Sequence, residues 1–168
     1  LYTYITHSKL FDESFGISMY GTNSFNLVWE KVCAEVFDNK LSTPIGRLKL
    51  PIELHNDYID RKKRTLLDII QKPVWSHFDS ENNRYDHLAK DTLTPDLISL
   101  YEVDKGMCFG IFDAKYYNII LDKNKVQGQP GVGDVTKQYL YQLAYNDFIL
   151  KHRFTSVKNA FLMPTEEN

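Results

Sequence analysis

Apolar residues recur along the chain with two different periods. Between Ser24 and Asp38 they fall at Phe25, Val28, Trp29, Val32, Val36 and Phe37, the spacing of one helix face. Gly21-Thr22-Asn23-Ser24 precedes them as a turn and N-cap, so residues 24–38 are predicted to be an amphipathic helix. A second helix is predicted over residues 58–71, ending before Lys72-Pro73 because the residue before proline is pushed out of helical conformation. A long third helix follows over 135–152, with Asp134 as its cap. Four segments (74–79, 97–103, 107–116 and 156–163) are instead apolar, aromatic and β-prone, and read as strands. Asp104-Lys105-Gly106 between the second and third of these is a hairpin signal.

The intervening stretches are polar or rich in turn formers. Residues 40–56 carry Pro44, Gly46 and Pro51 and read as loop with a short strand at Leu48, Leu50 and Ile52. Residues 80–91 read as a polar connection, and 122–134, with three glycines and a proline, as a loop. Residues 1–20 form an aromatic-rich lead-in with no assigned element. Strands and helices interleave without regular strand–helix–strand repetition. This predicts an α/β fold with a mixed central β-sheet flanked by helices.

Composition narrows the class. At 168 residues, with 43% apolar and 25% charged side chains, the chain is one folded domain rather than a disordered segment. Starting at Leu1 and stopping after Glu166-Glu167-Asn168, it reads as part of a longer protein. Its net charge of −2 gives no global basic signature, so a nucleic-acid partner requires cations gathered into one groove. Cys33 and Cys108 are far apart and form no C-x-x-C, which fits a reducing, cytoplasmic compartment and argues against zinc. The five histidines show no metal-ligand spacing. No apolar run approaches the ~20 residues of a membrane span.

The charged residues at the hairpin carry the chemistry. Pro95-Asp96 opens its first strand, and Asp113-Ala114-Lys115 lies on its second. Alternation along a strand places Asp113 and Lys115 on one face. A two-residue loop pairs Val103 with Gly106 and sets Asp96 opposite Asp113. A three-residue loop, with Gly106 in a left-handed bulge, slips Asp96 opposite Ala114 and turns it away. Both registers are open from the sequence, and an exposed alternating face would also give Asp-x-Lys. Two close carboxylates destabilise a fold unless a cation bridges them. Mg²⁺ is such a cation, needing only one or two protein carboxylates besides substrate phosphate and water.

Pro95-Asp96 with Asp113-Ala-Lys115 resembles the signature of the PD-(D/E)xK nuclease superfamily. Residues 21–30 (Gly-Thr-Asn-Ser-Phe-Asn-Leu-Val-Trp-Glu), 70–75 (Ile-Gln-Lys-Pro-Val-Trp) and 133–145 (Gly-Asp-Val-Thr-Lys-Gln-Tyr-Leu-Tyr-Gln-Leu-Ala-Tyr) narrow the likeness to LlaJI-type restriction endonucleases, themselves similar to McrC. The resemblance covers roughly residues 20–165. It implies a restriction-endonuclease-like core and Mg²⁺-dependent hydrolysis of double-stranded DNA, with Mn²⁺ substituting. Asp96, Asp113 and Lys115 are then catalytic, with Asp96 and Asp113 on the metal. It further implies Glu30 as a metal ligand from the first helix, and Gln142, on a stripe with Gln138 and Tyr145, beside the metal and DNA. The spacing Gln142-x-x-Tyr145 departs from the Gln-x-x-x-Tyr of RecB-like members.

Candidate DNA-contacting residues are the run Arg61-Lys62-Lys63-Arg64, then Lys123, Lys125 and Lys137, and Tyr145. Solvated helix faces would also give such charges. Gly128-Gln-Pro-Gly131-Val-Gly133 lacks the Gly-Lys-Ser/Thr ending of a phosphate loop. Any motor, such as the AAA+ GTPase or ATPase subunit the resemblance implies, must lie in another protein or segment. Cutting both strands further implies a dimer on DNA. A repair nuclease on the same fold and a non-catalytic DNA-binding module are the competing readings.

Overall fold

The computed structural model describes residues 24–117 and 119–164, with Leu121 by its backbone alone. The lead-in, the turn at 21–23 and the last four residues lie outside the described residues. In chain order the elements are α1 (Phe25–Val36), α2 (Asn56–Ile59), β1 (Val74–Phe78), β2 (Arg84–Leu88), β3 (Leu97–Val103), β4 (Gly106–Ala114), β5 (Ile120–Asp122), β6 (Lys125–Gln127), α3 (Val132–Lys151) and β7 (Ser156–Leu162). Strands β3, β4 and β7 form the central sheet in that order. β3 runs antiparallel to β4, and β7 runs parallel to it, so the sheet is mixed, as expected.

Alternation along β4 divides the core into two layers. Phe109 and Ile111, with Ile98 of β3, pack against Tyr141, Tyr145, Phe148 and Ile149 of α3 and against Leu41, Ile45, Tyr58, Leu66 and Ile70. The intervening Phe112 and Ala114, with Leu97, face Cys33 of α1, flanked by Trp29, Ala160 and Leu162. Each large side chain buried here contributes roughly 1.5–3 kcal/mol of hydrophobic stabilisation. Helix α1 is narrower in contact than its sequence pattern suggests. Trp29 and Cys33 face the sheet, while Val28, Val32 and Val36 remain exposed.

Five local expectations need correction. No helix spans 58–71: α2 ends at Ile59, turns carry the basic run, and a 3₁₀ turn covers Leu66–Ile69. The backbone of the run is drawn aside, because the amides of Gly46 and Ile45 donate to the carbonyls of Lys62 and Arg64. Thr65 and Asp68 then form a reciprocal cap that starts a new turn. No strand forms at Leu48, Leu50 and Ile52; Leu48 and Leu50 pack on the core from loop, beside a 3₁₀ turn at Ile45–Arg47. The polar connection at 80–91 contains β2, which is exposed on both faces and so shows no apolar alternation. The loop at 122–134 includes part of the β5–β6 hairpin, and α3 starts at Val132 with Gly131, not Asp134, as N-cap. Asp134 instead occupies the first turn, where its charge complements the helix dipole. Among the described residues, no helix is long and apolar enough to cross a membrane.

His152 closes the C-terminal end of α3. It is fully buried; its Nδ1 lies 2.8 Å from the Phe148 carbonyl, and its Nε2 accepts the His55 amide at 3.1 Å. These roles require the neutral ring with the proton on Nδ1. Burial lowers its pKa, opposed by the Phe148 carbonyl. The stabilisation is therefore complete above the unfolded histidine value of about 6.5 and is lost as pH falls through the lower folded value. Denaturant titrations should show stability declining below about pH 6.5, with a smaller decline in His152→Asn; identical pH profiles would contradict the assignment.

Candidate active site

The tight turn at Asp104-Lys105 resolves the hairpin register. Val103 pairs with Gly106 and Leu97 with Phe112, which carries Asp96 to the position opposite Asp113. Gly106 adopts φ 137°, and a Cβ there would approach the Thr155 side chain to 2.6 Å. Both conformation and space therefore require glycine at this corner. Its consequence lies at the far end of the hairpin, where the two aspartates meet.

Asp96 Oδ2 accepts the Ala114 amide at 2.7 Å, tying the end of β3 across to β4. Burial raises the Asp96 pKa, and the charge of Asp113 raises it further; the Ala114 amide opposes them, and Glu30 adds a smaller push upward. Asp113 is 5% exposed, and no donor reaches its Oδ2 with hydrogen-bond geometry. Lys115 Nζ stands 2.6 Å from that oxygen as an ion-pair partner, and 3.8 Å from Asp134 Oδ1 of α3. Burial lowers the Lys115 pKa, but contact with Asp113 and the charges of Asp96 and Asp134 outweigh it, so the net shift is upward. Lys115 is thus an ammonium held among carboxylates.

The remaining expected residues divide. Glu30 is half-buried on α1, near enough for its charge to act on Asp96. However, no three His, Cys, Asp or Glu side chains among the described residues are grouped to hold a metal, so Glu30 does not complete a ligand trio in this geometry. Gln142 is exposed, and its Oε1 accepts from Asn159 rather than meeting the aspartates. Gln138 is buried against β7, its amide 3.5 Å from the Ala160 carbonyl. Tyr145 is a correction: it is fully buried in the core and its hydroxyl donates to the Leu66 carbonyl, so it offers DNA no surface. Arg61, Lys62, Lys63 and Arg64 are all exposed on a pinned turn, and Lys123, Lys125 and Lys137 are exposed.

Two residues that the sequence reading missed hold Asp96 in place. Asn39 lies along the outer edge of β3; its Oδ1 accepts the Ile98 and Leu41 amides, and its Nδ2 donates to the Asp96 carbonyl at 3.4 Å. Tyr141 donates its hydroxyl to the Thr94 carbonyl at 2.9 Å, two residues before Asp96. Burial and then the charges of Asp113 and Asp96 push its phenol up to about 12. The Asp38-Asn39 pair signals a turn in sequence, but nothing local signals its partner 57 residues away. Asn39→Ala is expected to cost about 1–3 kcal/mol, since it leaves the Ile98 amide unpaired. Urea denaturation would register this, and Asn39→Asp, which keeps the acceptor, should recover part of the loss; a midpoint unchanged in Asn39→Ala would contradict it.

Comparison with known proteins places the chain in a family. A family model described as LlaJI restriction endonuclease matches residues 1–52 and 56–168. A Bacillus subtilis (strain 168) protein named type II restriction enzyme BsuMI component YdjA is 37% identical over 153 residues, covering 90% of this chain and 26% of its own length. The chain therefore spans about a quarter of that relative. No solved structure matches it.

Proposed function

We propose that this chain, which belongs to the LlaJI restriction endonuclease family, is the DNA-cutting module of a restriction system and hydrolyses phosphodiesters at Asp96, Asp113 and Lys115. The observation that carries this reading is the buried Asp113 carboxylate, whose Oδ2 is met by the Lys115 ammonium at 2.6 Å but by no other donor, and which lies beside the second carboxylate of Asp96. A hard cation fits that oxygen. Two carboxylates suffice for Mg²⁺, which completes its shell with water and phosphate. Asp96 and Asp113 would hold the ion, with Mn²⁺ as a substitute. When bound, Mg²⁺ offsets charge on the scissile phosphate and acidifies a water.

The protein's own groups perform the rest. The Ala114 amide fixes Oδ2 of Asp96. Asp113, on the central strand of the sheet, pairs with Phe161 of β7, while its neighbour Phe112 pairs with Leu97, the residue after Asp96. Lys115 is charged, so it orients the attacking water and stabilises phosphate charge rather than removing a proton. Asp134 steadies it from the first turn of α3. Glu30 sets the local charge beyond Asp96. Double-stranded DNA is the substrate this reading requires. The relative is named as a component, which favours work with further subunits; an AAA+ GTPase or ATPase and a dimer on DNA are the assemblies we propose.

Asp113→Asn and Lys115→Met in the full-length protein should each lower the rate of DNA cleavage by about 100-fold or more; thermal unfolding should change little in Asp113→Asn, whereas Lys115→Met leaves the carboxylates without their cation and should unfold at lower temperature. Glu30→Gln should lower it less, because Glu30 stands outside the pair. Gel assays of duplex cleavage in Mg²⁺ test this, and undiminished cutting by Asp113→Asn would exclude the site.

A further inference from the structure

Helix α3 turns an unusual face to solvent. Its Tyr141, Tyr145, Phe148 and Ile149 are buried in the core, so the opposite side points away from the body. That side is formed by Val132, Thr136, Tyr139, Leu143, Asn146 and Leu150, all of them exposed. Steps of four and three residues alternate between them, which is the heptad rhythm of a helix seam. At about 100° per residue the six fall within an arc of roughly 80°, and none is charged. Val132 is 84% exposed, Tyr139 and Leu143 are 70% and Leu150 is 67%. An outward helix face ordinarily carries charged side chains. Large apolar ones aligned along its whole length mark an interaction surface.

The order of the six residues selects the occupant. Read outward from Tyr141, at the middle of the helix, the stripe is chemically the same in both directions. Tyr139 and Leu143 are apolar, Thr136 and Asn146 are polar, and Val132 and Leu150 are apolar again, each pair equally far from Tyr141. A contact between two copies about a twofold axis needs such a pattern, because a residue i that meets j is repeated as j meeting i. Antiparallel pairing about Tyr141 sets Val132 against Leu150 of the second copy, Thr136 against Asn146 and Tyr139 against Leu143. The Thr136 hydroxyl donates to the Val132 carbonyl at 2.9 Å, which leaves its oxygen to accept the Asn146 amide across the seam. Near the axis, Leu140 meets its own copy on one flank and Gln142 its own copy on the other. Asp147 comes beside Gly133 of the second copy, at a helix N-terminus that favours its charge.

We propose that the outward face of α3 is a homodimer interface, in which two copies pair antiparallel about a twofold axis at Tyr141. This rests on the dimer proposed above and gives it a surface, but does not depend on the chemistry of cutting. The chain spans about a quarter of its curated relative, so other segments of a longer protein are the competing cover. Such segments place no demand on symmetry, whereas a second copy requires a stripe that reads alike from both ends. The pairing also has a consequence for the site. Asp134, which steadies Lys115, lies in the first turn of α3. The two copies of Asp134 are then about 21 Å apart along the helix axis, and the two centres are related by a twofold, as are the strands of duplex DNA.

Disulfide trapping in the full-length protein, without DNA, tests the register. Within one chain Val132 and Leu150 are about 27 Å apart, well beyond the roughly 7 Å that a disulfide can bridge. A chain carrying both Val132→Cys and Leu150→Cys should therefore form a covalent dimer on mild oxidation, and either substitution alone should form none. The parent gives the background from native cysteines, of which Cys33 and Cys108 are buried. In sedimentation velocity, Leu143→Glu should weaken the dimer about ten-fold or more. Leu88→Glu, at a comparably exposed leucine of β2, should leave it unchanged. All these positions are exposed, so none of the variants opens a core cavity. Cross-linking by a single variant would indicate parallel pairing, and an unlinked double variant or a monomeric parent would indicate another cover; each overturns the proposal. A linked dimer that cuts no DNA would count against the nuclease reading alone, and a monomer that cuts DNA against this one alone.

Discussion

The antiparallel pairing of β3 with β4, closed by a two-residue turn, is the constraint on which the site depends. A shift of one residue would reverse every side chain of β3 relative to the core. It would expose Ile98 and turn Asp96 away from Asp113. The close approach of Gly106 to Thr155 at one end and the bond from Ala114 to Asp96 at the other hold the same register. Burial of Ile98, Phe109 and Ile111 against α3 makes any slip costly along the whole strand. Core packing and the geometry of the proposed site are thus enforced by one set of contacts.

That register brings two carboxylates together where burial makes repulsion costly, and the surrounding structure is arranged to tolerate it. Lys115 pairs with Asp113, Asp134 holds Lys115 from the other side, and the Ala114 amide satisfies one oxygen of Asp96. The compensation is incomplete, because one ammonium serves two neighbouring carboxylates and Asp96 remains shifted upward. Incomplete compensation of this kind is expected of a site built for an added cation, since neighbouring carboxylates repel unless a cation joins them.

Much of this was legible in the sequence, and the failures have physical causes. The hairpin, β7, α1 and α3 were readable because each buries a face whose period survives in the residues. Asp113 and Lys115 followed from strand alternation, whereas Asp96 required the turn length, which sequence left open. Strand β2 was invisible because both its faces meet solvent. The helix expected over 58–71 failed because backbone bonds from Ile45 and Gly46, and the Thr65–Asp68 cap, outcompeted local propensity. Tyr145 lay on the right helix but on its inward face, and Asn39 could be found only through its distant partners.

The central claim is that Asp96 and Asp113 form one divalent-metal centre. Calorimetric titration of Mn²⁺ into the full-length protein tests it most directly, without requiring the correct DNA target or partner. The account predicts binding by the wild-type protein that is lost in both Asp96→Asn and Asp113→Asn and retained in Gln142→Ala. Binding of equal strength in wild type and Asp113→Asn would contradict it.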